Sequence, residues 1–178
     1  MGLEIGRYIQ DTRKRHNVSA SDLAAALKVP DSYLTKWELD NSFPNMDALN
    51  TIAAVIGCDV RELLGMKEKR GADWLHPFAK KDAIYWHVQG NVHRQEAIGI
   101  LVQMVADMTP DEHPIRKSMD KYYSLLMTKK GTTVDFIIDT QNSELATVMA
   151  QTGIHLSQAN QDRYQQLVKI SRERFGVK

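Results

Sequence analysis

The chain has 178 residues, 43% of them hydrophobic and 25% charged, with a formal net charge of +1. That composition fits one or two globular domains and excludes disordered, collagenous and strongly polybasic classes. The longest nearly apolar run, Ala97 to Met108, contains Gln103 and Asp107 and falls short of the roughly 18 to 20 residues that cross a bilayer, so no membrane partner is expected.

The opening residues, MGLEIGRYIQ, lack the basic, apolar and small-residue succession of a secretory signal, and Cys58 is the sole cysteine. No internal disulfide framework exists, and the cytoplasm is the expected compartment. Residues 1–70 carry ten Lys or Arg against ten Asp or Glu. Any affinity of this part for a polyanion must therefore come from local placement of charge.

Residues 3–16 set Leu3, Ile5, Tyr8 and Ile9 at near-helical spacing, with Arg13, Lys14 and Arg15 in the last turn, where cations suit the helix dipole. Ser19 can cap a short second helix striped by Leu23, Ala24 and Leu27. Val29-Pro30 ends it, because the residue before a proline is driven to extended backbone. A third helix is expected over 31–38. Asn41 to Asn45 reads as a loop, Met46 to Ile56 as a fourth helix stopped by Gly57, and Val60 to about Leu64 as a fifth. Five helices within residues 1–65, the second and third joined by a tight turn, form a helix-turn-helix pattern.

The run from Val18 to Gly65, VSASDLAAALKVPDSYLTKWELDNSFPNMDALNTIAAVIGCDVRELLG, resembles the XRE family of helix-turn-helix domains, the phage-repressor and Cro-like class, without a gap. Its hydrophobic pattern falls on Val18, Leu23, Ala24, Leu27, Val29, Leu34, Trp37, Leu49, Ile52, Ala53, Ile56, Val60 and Leu63, and its glutamate after the recognition helix on Glu38. Three positions depart from it. Lys28 and Asp40 stand where the family often has Gly, and Ala20 where it often has Gln, which removes a common phosphate and supporting contact.

The resemblance implies a lambda-repressor-like domain whose third helix lies in the major groove of double-stranded DNA. It implies base-edge contacts from Asp31, Ser32, Thr35 and Lys36, and backbone contacts from Arg13, Ser19, Tyr33, Asn41, Ser42 and Asn45. It also implies an ion pair between Arg13 and Glu38. The chemistry suits each base contact: Lys36 can donate to guanine, Thr35 can offer a methyl or a hydroxyl, and Asp31 can accept from a cytosine amino group. Asp31 equally fits a purely structural role, completing the helix start after Pro30. At about 100° per residue, Leu34 and Trp37 point away from residues 31, 32, 35 and 36, back toward the second helix.

Residues 66–73 are polar, charged and glycine-bearing and read as a linker to a second, mostly helical domain over 74–178. It opens with Trp74, Phe78, Tyr85 and Trp86, which suit core packing or a pocket. A helix over about 91–108 follows. Nine of the twelve residues from Ala97 to Met108 are Ala, Ile, Leu, Val or Met, so this helix is apolar nearly all round and must be buried in a core or between subunits. Ile98, Leu101, Val102 and Val105 are the expected dimerisation residues. Pro114 can open a helix striped by Ile115, Met119, Tyr122 and Leu126 and ended by Gly131. Thr132 to Ile138 is β-branched and fits either a strand paired with Ala83 to Val88 or a helix running on into Glu144 to Gln151. The last helix covers about 160–175, striped by Tyr164, Leu167, Val168 and Phe175.

His76, His87 and His93 are too irregularly spaced to suggest a metal site, and Ser118 near Asp120 and Lys121 does not form the constellation of a self-cleaving repressor. No cofactor, metal or enzymatic activity is expected. The sequence reads as a mainly α transcription regulator, a dimeric repressor on a palindromic operator, with a small-molecule, peptide or protein effector acting on the C-terminal domain. The alternative is an antitoxin or adaptor whose C-terminal half binds a partner protein while its N-terminal half autoregulates.

Overall fold

A computed structural model describes residues 4–66, 83–128 and 133–173. The chain divides into two compact units, Met1–Val88 and Gln89–Lys178. The described residues contain no strand. From residue 67 onward the expected linker lies outside the described residues, as do Trp74, His76, Phe78 and Gly131.

The first unit contains α1 (Ile5–Arg15), α2 (Ala20–Ala26), α3 (Asp31–Glu38), α4 (Met46–Ile56) and α5 (Val60–Leu63). Each boundary has a local cause. The Ser19 hydroxyl caps α2 by accepting from the Asp22 N–H at 3.0 Å, and Asn45 Oδ1 caps α4 by accepting from Ala48 N–H at 2.8 Å. Asp59 Oδ1 does the same for α5 through Arg61 N–H at 2.7 Å. Gly57, at φ +76°, supplies the left-handed residue that ends α4.

Lys28 and Asp40, the two positions where glycine is common, both take left-handed backbone, at φ +56° and +54°. Of the hydrophobic pattern, Val18, Leu27 and Val29 are half-buried and the other positions are buried. Ile5, Ile9 and Met46 complete this core, and α3 packs on α1 and α2.

The second unit is built from α6 (Ala83–Ala106) from Gln89 onward, a 3-10 helix (Pro110–Ile115), α7 (Arg116–Thr128), α8 (Thr133–Thr152) and α9 (Gln158–Glu173). Pro114 closes the 3-10 turn, and the α-helix starts two residues later at Arg116. Its expected stripe of Ile115, Met119, Tyr122 and Leu126 is fully buried.

The described part of the β-branched stretch, from Thr133 onward, is helical. Val134, Ile137, Ile138 and Leu145 fall on one buried helical face, and the segment that would have paired with a strand, 83–88, belongs to α6. Helical periodicity and burial thus override intrinsic β preference here. In α9, Tyr164 and Leu167 are buried as expected and Ile170 joins them, while Val168 is only half-buried.

Buried polar groups tie these helices together. Asn142 donates to the Leu167 carbonyl at 2.9 Å, its own carbonyl accepts from Tyr164 Oη at 3.0 Å, and its Oδ1 meets Tyr122 Oη at 3.3 Å, so one side chain joins α7, α8 and α9. Arg94 of α6 is buried and donates to the Leu126 and Met127 carbonyls at the end of α7.

Glu112 has no exposed surface and accepts from Thr109 N–H at 2.8 Å, Ser157 N–H at 2.7 Å and Asn160 Nδ2 at 3.1 Å. Burial alone would raise its pKa. The hydrogen bonds outweigh burial and hold the carboxyl below its ordinary value.

The four expected dimerisation residues belong to this interior. Ile98, Leu101 and Val102 have no exposed surface and Val105 is 7% exposed within a single chain. A single chain is therefore enough to bury this apolar stripe.

Candidate nucleic-acid interface

The third helix separates its side chains by function. Leu34 and Trp37 are buried, while Asp31, Ser32, Tyr33, Thr35 and Lys36 are all exposed. Pro30, extended at ψ 147°, serves as its N-cap residue and starts the helix with Asp31 in the first turn, where the helix dipole favours a carboxylate.

Four of these exposed residues are held in place. Thr35 Oγ1 donates to the Asp31 carbonyl at 3.0 Å, leaving the oxygen lone pairs and the methyl group to face outward. Lys36 Nζ stands 5.4 Å from the centroid of the Tyr33 ring, a cation–π distance that restrains both long side chains. Asp31 Oδ2 accepts from Ser21 Oγ of α2 at 3.1 Å.

Among the expected backbone contacts, the structure separates open from closed groups. Tyr33 is 50% exposed. Asn45 spends its Oδ1 on the α4 cap, which fixes the amide and leaves Nδ2 to donate. Asn41 and Ser42 have exposed side chains, but their N–H groups both point to the Lys36 carbonyl, at 2.9 and 3.4 Å. They complete the end of α3, so only their side chains remain for a phosphate. The Ser19 hydroxyl is closed on Asp22, accepting from its N–H and donating to its Oδ2 at 2.5 Å.

Arg13 is 8% exposed. It donates through Nε and Nη2 to the two Glu38 carboxylate oxygens at 2.8 and 3.2 Å, and through Nη1 to the Val18 carbonyl at 2.9 Å. The expected ion pair with Glu38 is present. That pair and the Val18 bond hold the guanidinium against the protein's own groups. Gln10 adds a further donor to Glu38 Oε2 at 2.9 Å.

Residues 9–63 match the family model described as helix-turn-helix. They form an XRE-type helix-turn-helix domain. This helix-turn-helix family is DNA-binding and regulatory rather than enzymatic, and the match over residues 9–63 supports a DNA-binding regulator in general. No curated protein and no solved structure matches the chain. No helix among the described residues is long and apolar enough to cross a membrane.

Two contributors to this helix-turn-helix were not visible in its sequence. Ser21 lies ten positions from Asp31 on another helix, and only the crossing of α2 and α3 brings them together. Gly6 sits so close to the end of α3 that an added Cβ would lie 2.0 Å from the Trp37 carbonyl oxygen. Nothing in local periodicity marks either position.

Proposed function

We propose that the protein is a sequence-specific transcription regulator, acting as a dimeric repressor on a palindromic operator. Residues 1–65 read the DNA, residues 66–73 link, and residues 74–178 dimerise. In this reading α3 enters the major groove, with Asp31, Ser32, Thr35 and Lys36 against base edges and Tyr33, Asn45 and the side chains of Asn41 and Ser42 along the phosphates.

The observation that carries the reading is the division of α3. Its apolar residues anchor it in the core, while five polar and aromatic side chains stand exposed, four of them restrained by contacts within the domain. A small domain without a net basic charge makes few phosphate contacts, so linking two copies is the economical route to affinity, with an avidity gain of roughly 10² to 10⁴.

Selection of bound duplexes from a random library by the full chain tests the first claim, and an inverted repeat in the enriched sequences tests the second. Sedimentation of the same chain then gives its oligomeric state. A chain that enriches no sequence, or that sediments as a monomer and binds a single half-site, is not this regulator.

A further inference from the structure

Resting on that reading, we infer that Ser21 is a positioning residue for Asp31, and that the pair makes each half-site require a cytosine at one position. The Ser21 hydroxyl of α2 donates to Asp31 Oδ2 at 3.1 Å, and both residues are exposed on the side of the domain that presents α3. Asp31 also stands at the first position of α3, so the dipole stabilises its charge there.

An exposed carboxylate is otherwise a poor tenant of a DNA interface, since every phosphate repels it. The Ser21 hydroxyl changes what it can do. It occupies one oxygen and fixes the carboxylate plane, leaving Oδ1 as a directed acceptor with no donor of its own.

The major groove then selects the base. Only cytosine N4 and adenine N6 donate there, and adenine carries the acceptor N7 beside its amino group, which a carboxylate opposes. Guanine presents two acceptors, and thymine an acceptor and a methyl. Cytosine is the base that a fixed, acceptor-only oxygen can read.

The test uses the full-length chain and four variants in the random-duplex selection, followed by titration on matched duplexes that differ only at the selected position. Wild type should enrich cytosine there and bind the matched duplex about tenfold or more tightly than its thymine or adenine counterpart. Asp31→Ala should lose that preference, and Asp31→Asn should move it to adenine, which an amide reads through N6 and N7. Ser21→Ala should reduce discrimination at that position alone, with unchanged melting and unchanged binding to non-operator DNA. Ser21→Thr, which keeps the hydroxyl, should restore it.

Retention of the cytosine preference in Asp31→Ala would overturn the inference, as would a Ser21→Ala variant that weakens on all duplexes equally. Failure of wild type to enrich any sequence is a separate result, because it removes the DNA-reading function itself.

Discussion

The N–H of Gly6 donates to Oδ1 of Asp40 at 2.8 Å, fastening the first turn of α1 to the turn that follows α3. The same glycine lets the two helices touch. An added Cβ would lie 2.0 Å from the Trp37 carbonyl oxygen and 2.8 Å from the Glu38 carbonyl, both backbone groups that cannot rotate aside. Gly6→Ala should therefore push α1 off α3 and cost about 3 kcal/mol, at the upper end of ordinary overpacking. Urea unfolding of the full chain followed by circular dichroism reads this as an earlier first transition, with DNA affinity falling in step. An unchanged transition would mean that the α1–α3 contact is looser than the structure has it.

Lys28 and Asp40, two of the three left-handed non-glycine residues among the described residues, should respond in opposite ways to glycine. Lys28 combines left-handed φ with an exposed side chain, and a side chain in that region costs about 1 to 2 kcal/mol. Part of the relief is cancelled by glycine's greater freedom in the unfolded chain, so Lys28→Gly should stabilise by about 0.5 kcal/mol. Asp40→Gly relieves the same strain but removes the acceptor for Gly6, and should destabilise by about 1 kcal/mol. Melting temperatures that move up for the first variant and down for the second are the expected result; parallel shifts would contradict it.

Arg13 separates a folding role from a DNA role. Removing one partner of a buried ion pair leaves the other charge uncompensated, so Arg13→Gln should cost about 3 to 5 kcal/mol in stability. Because the guanidinium faces Glu38 and Val18, the dependence of DNA binding on salt should keep its wild-type slope at temperatures where the variant is folded. A slope reduced by about one would return Arg13 to the phosphate contacts.

Much of this domain was legible in its sequence, for reasons that are local. Ser19, Asn45 and Gly57 mark helix ends through their own side chains or backbone freedom, and Leu34 and Trp37 fix the phase of α3 by spacing alone. The Gly6–Asp40 and Ser21–Asp31 bonds depend on how helices cross, which no single segment encodes. The β-branched stretch before Asp139 left helix and strand open because propensity is decided by packing, and its packing partners are distant in sequence. The stripe through Ile98 and Leu101 announced burial without saying what would bury it.

Glu112 should make the second unit acid-sensitive. Its folded-state pKa lies below the ordinary value, so its contribution to stability is full above the unfolded carboxyl's pKa, about 4.3, and is lost as pH falls through the folded value. Glu112→Gln keeps the shape but weakens the bonds from Thr109 and Ser157, and should cost about 2 kcal/mol at pH 7. The gap between wild type and variant should narrow as the pH falls below 4. A gap that stays constant in acid would show that the charge on Glu112 contributes nothing to folding.

Leu101 decides whether α6 is core or interface. With no exposed surface inside a single chain, its truncation opens a cavity whatever the oligomeric state, and Leu101→Ala should cost about 2 to 5 kcal/mol. If α6 belongs to the interior of each subunit, that loss is the same at low and high protein concentration, and the folded variant sediments like wild type. If the stripe instead formed a subunit interface, mass action would restore stability as concentration rises. Melting at two concentrations a hundredfold apart distinguishes these outcomes, and a concentration-dependent deficit would return Ile98, Leu101, Val102 and Val105 to the dimer surface. A concentration-independent deficit places the dimer contact of the proposed repressor on residues other than this stripe.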